Sequence, residues 1–357
     1  MNDFIKLKPS YFKSGELSLP GSKSISNRVL LLSSLTKGKT IIKNLLFSDD
    51  TEVMIVALKK LGIEIEVNKK ISECVVIGGE NYFPIKDADL YIGNAGTAIR
   101  PLTAALAFNG GEYKLHGTKR MHERPIRDLV DSLNSIGAKI EYIKDVGFPP
   151  IHIKKSSDNK NKIQIKGNVS SQYLTSLILS STVFSKKKDF EIHLDGDLIS
   201  KPYVNITLRL MNLFGIKIIE KKNNIFLIPS NQTLLSPVEI NIESDASSAS
   251  YFLAAAAIGG GSLKINGLGS KSIQGDIQFI EILKKMGANI NLESSFIEIN
   301  CNKILKPINA DLNHIPDAAM TLAILSLYAD GVSVLKNIGS WRVKETDRIL
   351  AMETELK

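Results

Sequence analysis

Between Trp341 and Leu350 the chain reads WRVKETDRIL, and Arg342, Lys344, Glu345, Asp347 and Arg348 all carry charge. Such a stretch can clamp a phosphate or carboxylate, arginine through a planar two-pronged fork and lysine as a point charge. A carboxyl group beside a reacting atom can also move a proton. Read as one helix, Lys344 and Arg348 stand four apart and share a face. Glu345, three before Arg348, has a surface ion pair as its plain alternative. More basic residues stand at other turns rich in small residues: Lys23 and Arg28 in PGSKSISNR, Arg100 after GNAGTAI, and Arg124 in RMHERPI. Asp317, in NHIPDAAM, sits near the start of a helix, where complementing the helix dipole would alone account for it.

Composition agrees with small anions as ligands. The 357 residues are 43% hydrophobic and 23% charged, with a formal net charge of +8, which suits a soluble globular protein of two domains. A basic balance fits nucleic acid or anionic small molecules. The surplus, however, is scattered lysine, as in KKSSDNKNK and EKKNN, and no stripe of basic and aromatic residues suggests RNA. Cys74 and Cys301 are too few and too isolated for a metal cage or disulfide framework. No apolar run reaches a membrane span, and MNDFIKLKPS lacks a signal-peptide core, so the chain reads as cytoplasmic. PGSKS is not a Walker A loop, and GNAGTAIRP is not a dinucleotide fingerprint.

The elements that must position these residues recur. Units beginning at Gly21, Gly93, Gly167, Asp245 and His314 follow one another at 72, 74, 78 and 69 residues. Each opens with a small-residue turn and an apolar helix. A β-branched strand such as TIIKNL, FEIHL or SVLKNI comes next, then a second turn and an amphipathic helix. In four units that helix stops at a glycine, Gly62, Gly137, Gly215 or Gly287, suited to a left-handed cap, and a strand resumes. GELSL, ADLYI, KIQIK, VEINI and INADL supply one strand before each first helix, so each unit reads βαβαββ. Helix N-termini carry unpaired N–H groups and the positive dipole end, so turns of this kind facing one cleft would hold anions.

LPGSKSISNR, SDD, GNAGTAIRPL, RMHERPI, GNVSSQYLT, GDLISKPY, DASSASYFLAAAA, NHIPDAAM and WRVKETDR, in this order, closely resemble the EPSP synthase family, the 3-phosphoshikimate 1-carboxyvinyltransferases. The resemblance runs from about residue 5 to the end. It implies an α/β fold of two lobes built of βαβαββ units, with helices buried inside and the lobes closing on the substrates. The implied reaction transfers the enolpyruvyl group of phosphoenolpyruvate to the 5-hydroxyl of shikimate 3-phosphate and releases phosphate. No metal or organic cofactor is implied, and no nucleic acid, membrane or partner subunit. By motif, shikimate 3-phosphate is expected to meet Lys23, Ser24, Arg28, Ser170, Ser171, Gln172, Ser200, Tyr203, Asp317 and Lys344. Phosphoenolpyruvate is expected to meet Lys23, Asn94, Gly96, Arg124, Gln172 and Arg348. Asp317 resembles the base for the 5-hydroxyl and Glu345 the acid for the methylene carbon, with Lys23 the third catalytic residue. Gly96 with Pro101 resembles the glyphosate-sensitive form. The sister family acting on UDP-N-acetylglucosamine usually carries a cysteine in the loop aligned with Thr118–Pro125, and none is there.

Two departures qualify the resemblance. Ser340 stands where the better-known bacterial members have Asn. The lobes are expected at 24–240, with three units, and at 1–23 plus 241–357, with about two. The fifth unit is thus cut short and a sixth, which in the family carries one more arginine and one lysine for phosphoenolpyruvate, is absent. The alternative expectation is therefore a non-catalytic member that only binds shikimate 3-phosphate.

Overall fold

The alternation of TIIKNL is that of a strand with one wet face, and Thr40 and Ile42 are indeed buried in strand Lys37–Lys43 while Lys39 and Lys43 are exposed. The computed structural model describes residues 6, 8, 10–156, 160–167, 170–185, 188–196 and 198–357. Of the segments quoted above, residues 1–5, 7, 9 and 157–159 and Asn168, Val169 and Asp197 lie outside these.

The chain forms two units. The larger holds Pro20–Glu243, Ile273–Gly275 and Asn337–Lys357, the smaller Met1–Leu19, Ser244–Ser272 and Asp276–Lys336. Three four-stranded sheets of the larger unit share one order. In spatial order, a leading strand runs parallel to its neighbour, which pairs antiparallel with the next, and that one pairs antiparallel with the far edge strand. They are Glu239–Asn241 with Lys37–Lys43, Glu73–Gly79 and Glu64–Asn68; Asp87–Tyr91 with Glu112–His116, Ile151–Lys154 and Lys139–Tyr142; and Lys162–Lys166 with Phe190–Asp195, Ile225–Ile228 and Ile219–Lys221. The smaller unit repeats the order once, in Gly15–Ser18, Gly261–Asn266, Phe296–Cys301 and Asn289–Leu292. It also has a parallel pair, Asn309–Asp311 with Val334–Lys336.

Helices apolar on every side must lie inside. Helix Lys23–Leu35 is buried at every position from Ile25 to Leu35, and Gly96–Leu106 at all but one. Gly96–Leu106 packs on Ser171–Leu179, which packs in turn on Lys201–Leu213. The closing glycines take positive φ, +90° at Gly62, +113° at Gly137, +81° at Gly215 and +109° at Gly287, as the cap requires.

Two leading strands depart from the sequence reading. GELSL precedes the first unit in the chain but pairs with the fourth unit's strand, Leu17 opposite Ile265. VEINI precedes the fourth unit but joins the first, Ile240 opposite Ile42. Both segments have the same alternation, which specifies a strand but not its sheet. Residues 337–357, counted by repeat position with 241–336, group instead with the larger unit. Arg120 explains this, donating to the carbonyls of Lys344 and Glu345 at 3.0 and 3.1 Å.

The exchange is open to test by amide hydrogen exchange. Ile265→Ala removes a fully buried side chain, at about 2–5 kcal/mol. Exchange is expected to quicken at Gly15–Ser18 while Glu239–Asn241 stays slow. The reverse pattern would show that the leading strands belong to the units they precede.

Candidate active site

Three inner helices of the larger unit, Lys23–Leu35, Lys201–Leu213 and Ser171–Leu179, pack together around Arg28. Its guanidinium, 5% exposed, donates from Nη1 to the Ser24 carbonyl (2.7 Å), from Nη2 to the Tyr203 carbonyl (3.3 Å) and from Nε to Thr207 Oγ1 (2.9 Å). Burial pushes Arg28 down to about 10, so it stays charged at neutral pH. Thr207 lies 3.3 Å from Thr175 on the third helix. That helix, Ser171–Leu179, is capped by Ser170, whose side chain accepts from the Gln172 amide at 3.2 Å. Ser200 precedes helix Lys201–Leu213 in a left-handed conformation, φ +53°.

A second group gathers at Gly96, the first residue of its helix. Arg124, only 2% exposed, donates from Nη1 to the Asn94 carbonyl at 2.6 Å. Arg100, 4% exposed, donates to Gln172 Oε1 (2.5 Å) and to the Pro125 carbonyl (3.1 Å) and lies over the Tyr173 ring. A Cβ on Gly96 would run into Arg100 Nη1 and come within 2.6 Å of Arg124 Nη2. Glycine here is what lets the two guanidinium groups close over the helix end. Arg28, Gly96 and Gln172 line one small cavity, so the two groups adjoin.

Lys23 Nζ stands 3.4 Å from Asp50 Oδ2, and Asp50 also accepts from Thr97 Oγ1 at 3.3 Å. Asp50 belongs to the quoted SDD. Glu345 completes the cluster, with Oε2 2.8 Å from Arg348 Nη2 and Oε1 3.6 Å from Arg124 Nη2. Burial alone would raise its carboxyl. Arg348, Arg124 and Lys23 outweigh that and hold it at about 2. Arg124 is pushed down to about 10 by burial and then by its like-charged neighbour Arg100, while Glu345 and Asp50 draw it back up. Buried Nε atoms of Arg100 and Arg124 find no acceptor among the described residues.

The last segment is not one helix, contrary to the spacing argument. Gly339–Val343 is a short 3₁₀ turn, Lys344–Thr346 is bent, and the α-helix begins only at Arg348. Asp347 caps it, its side chain accepting from the Ile349 and Leu350 amides. Lys344 and Arg348 therefore do not share a helix face. Arg124 also lies ahead of its helix, which starts at Arg127.

Lys23, Gly96, Arg124, Glu345 and Arg348 are thus brought together, with Arg28 and Gln172 beside them. Asp317 belongs to the smaller unit, half-buried in the turn before helix Ala319–Ser326. Sequence reasoning left Arg100, Arg120 and Asp50 without roles. The only signals were Arg100 at a turn and Asp50 in a quoted motif.

A family model described as EPSP synthase (3-phosphoshikimate 1-carboxyvinyltransferase) matches residues 8–357. The 3-phosphoshikimate 1-carboxyvinyltransferase of Janthinobacterium sp. (strain Marseille) is 53% identical over 354 residues, 99% of this chain and 80% of that protein. Among solved structures, EPSP synthase from Acinetobacter baumannii superposes with a TM-score of 0.79 at 26% identity, covering 96% of this chain and 77% of that one. The enolpyruvyl transferase NikO from Streptomyces tendae shares the fold, with a TM-score of 0.69 at 16% identity over 90% of this chain and 74% of that one.

Gly96→Ala is expected to cost about 1–3 kcal/mol by overpacking and to weaken protection by inorganic phosphate in thermal melts. Unchanged phosphate protection would show that Arg124 is not the anion's partner. Glu345 also sets a pH dependence. Its carboxyl falls from 4.5 to about 2 on folding, so its ion pairs stabilise fully above 4.5 and are lost as pH falls through about 2. Melting temperatures of Glu345→Gln should therefore decline less steeply over that window than those of the wild type.

Proposed function

Because the chain belongs to the EPSP synthase family, its activity is 3-phosphoshikimate 1-carboxyvinyl transfer, and we propose that the cationic cluster around Glu345 is where phosphoenolpyruvate is held and protonated. The enzyme moves the enolpyruvyl group onto the 5-hydroxyl of shikimate 3-phosphate, a step toward chorismate and the aromatic amino acids. In the reading we favour, Arg124, Arg348 and Lys23 take the phosphate and carboxylate of phosphoenolpyruvate, beside Asn94, Gly96 and Gln172. Shikimate 3-phosphate lies against Lys23, Ser24, Arg28, Ser170, Ser171, Gln172, Ser200, Tyr203, Asp317 and Lys344. The observation that carries this is one carboxylate, Glu345, faced by Arg124 and Arg348 at ion-pair distance. An anionic substrate would replace it there.

The chemistry needs one proton on carbon and one off oxygen. The 5-hydroxyl oxygen adds to the central carbon of the enol phosphate, losing its proton to Asp317, while Glu345 delivers a proton to the methylene carbon. Loss of phosphate and of one methyl proton then restores the double bond. As the substrate's negative charge draws off Arg124, Arg348 and Lys23, the carboxyl of Glu345 rises from about 2 toward the range where it can hold that proton. Arginine suits such anions because its fork binds two oxygens at once.

Beyond the reaction, we propose a monomer working in the cytoplasm on small-molecule substrates. Among the described residues no helix is long and apolar enough to cross a membrane.

Phosphate release in the presence of both substrates tests the assignment. Glu345→Gln is expected to lower kcat by about 10²–10⁴-fold, the usual worth of a placed proton donor. Release at the wild-type rate would remove Glu345 from the mechanism. A wild-type chain that releases no phosphate, yet is protected against heat by shikimate 3-phosphate, would leave only the binding half of the proposal.

A further inference from the structure

Lys344–Thr346 lies between two anchored points. On one side Trp341, the chain's single tryptophan, is 2% exposed in the 3₁₀ turn. On the other, Asp347 caps the final helix. Between them the backbone has neither helix nor strand to take up its polar groups, and such groups need partners once shielded from water.

Arg120 provides them. Its Nη2 donates to the Lys344 carbonyl (3.0 Å), its Nε to the Glu345 carbonyl (3.1 Å) and its Nη1 to Glu123 Oε2 (3.0 Å). Every guanidinium nitrogen is therefore engaged, which fixes the group's orientation. The turn that carries it is itself held. Met121 is fully buried, and the Gly117 amide donates to His122 Nε2 at 3.3 Å. Arg124 ends the same 3₁₀ turn, Met121–Glu123, and meets the side chain of the residue whose backbone Arg120 holds. One turn thus grips Glu345 twice, by its main chain and by its carboxylate.

We propose that Arg120 is a positioning residue for the transfer reaction, fixing the Lys344–Glu345 backbone so that the Glu345 carboxylate stands between Arg124 and Arg348. It acts through Glu345, not on the substrate, and this role rests on the transferase reading given above. Lysine cannot replace it fully, because a single ammonium does not reproduce the fork that meets two successive carbonyls. A displacement of about 1 Å in a reacting group costs about 10²-fold in rate. That is the loss expected when the two carbonyls lose the Arg120 fork.

The test has two arms. In the first, kcat and KM are measured for Arg120→Ala and Arg120→Lys. The expected result is a kcat about 10²-fold lower for Arg120→Ala, part of it restored by Arg120→Lys. KM for shikimate 3-phosphate should change far less, and the melting temperature and Trp341 emission should hold. Wild-type kcat in Arg120→Lys and Arg120→Ala alike overturns the proposal. So does a loss that follows a fall in melting temperature and is not relieved by lysine. The second arm needs no turnover. The Glu345 carboxyl is titrated by carbon-detected NMR in the wild type and in Arg120→Lys. The groups facing it are Arg348, Arg124, Lys23 and Arg100, with Asp50 paired to Lys23. Its midpoint is expected to rise from about 2 as the carboxylate drifts from the two arginines. An unchanged midpoint overturns the proposal even if the chain turns over. A raised midpoint in a chain that releases no phosphate would sink the transferase reading and leave the positioning intact.

Discussion

The site depends on keeping several like charges together in a region that excludes water. Arg28, Arg100 and Arg124 are each at least 95% buried, and an unpaired buried ion costs several kcal/mol. The fold meets this cost locally. Carbonyls of Ser24, Tyr203, Asn94 and Pro125 accept from the three guanidinium groups, and the Gln172 amide oxygen takes Arg100. Glu345 supplies a carboxylate that faces both Arg124 and Arg348. The N-termini of the inner helices add a positive dipole end to the same region. In the proposed function an incoming anion would take the place of Glu345 against Arg124 and Arg348.

Much of this was legible in the sequence. The five-fold recurrence foretold the sheets, and the apolar helices foretold the buried interior. Gly96 stood among the residues that the resemblance placed at phosphoenolpyruvate. In the structure, what a Cβ would meet there is Arg100 and Arg124. Lys23, Arg124, Glu345 and Arg348, expected site residues from their motifs, lie together.

The misses share a cause. Period and spacing describe a segment by itself, and each error came from a partner far away in the chain. GELSL and VEINI are equally good strands, but only the long-range pairing of Leu17 with Ile265 and of Ile240 with Ile42 decides their sheets. The VKETDR stretch has charges at helical spacing, yet hydrogen bonds from Arg120 to the Lys344 and Glu345 carbonyls hold it out of the helix. Helix spacing is a weak preference, and tertiary contacts override it. Arg100 and Arg120 went unassigned for the same reason. Their partners, Gln172 and residues 344–345, stand 72 and 224–225 positions away.

The same ion pairs bear on the proposal that Glu345 serves as the acid. At about 2, Glu345 is a carboxylate at any physiological pH and cannot protonate carbon. The cations responsible for that value are those the substrate's phosphate and carboxylate would claim. On that proposal binding and activation are one event: the anion that neutralises Arg124 and Arg348 also leaves the half-buried Glu345 without its compensating charges, which favours the protonated form. This coupling requires Glu345 to keep its place while its side-chain partners change, so the grip on its main chain must be independent of the grip on its carboxylate. Arg120 and Arg124, four residues apart on one short turn, divide those two tasks.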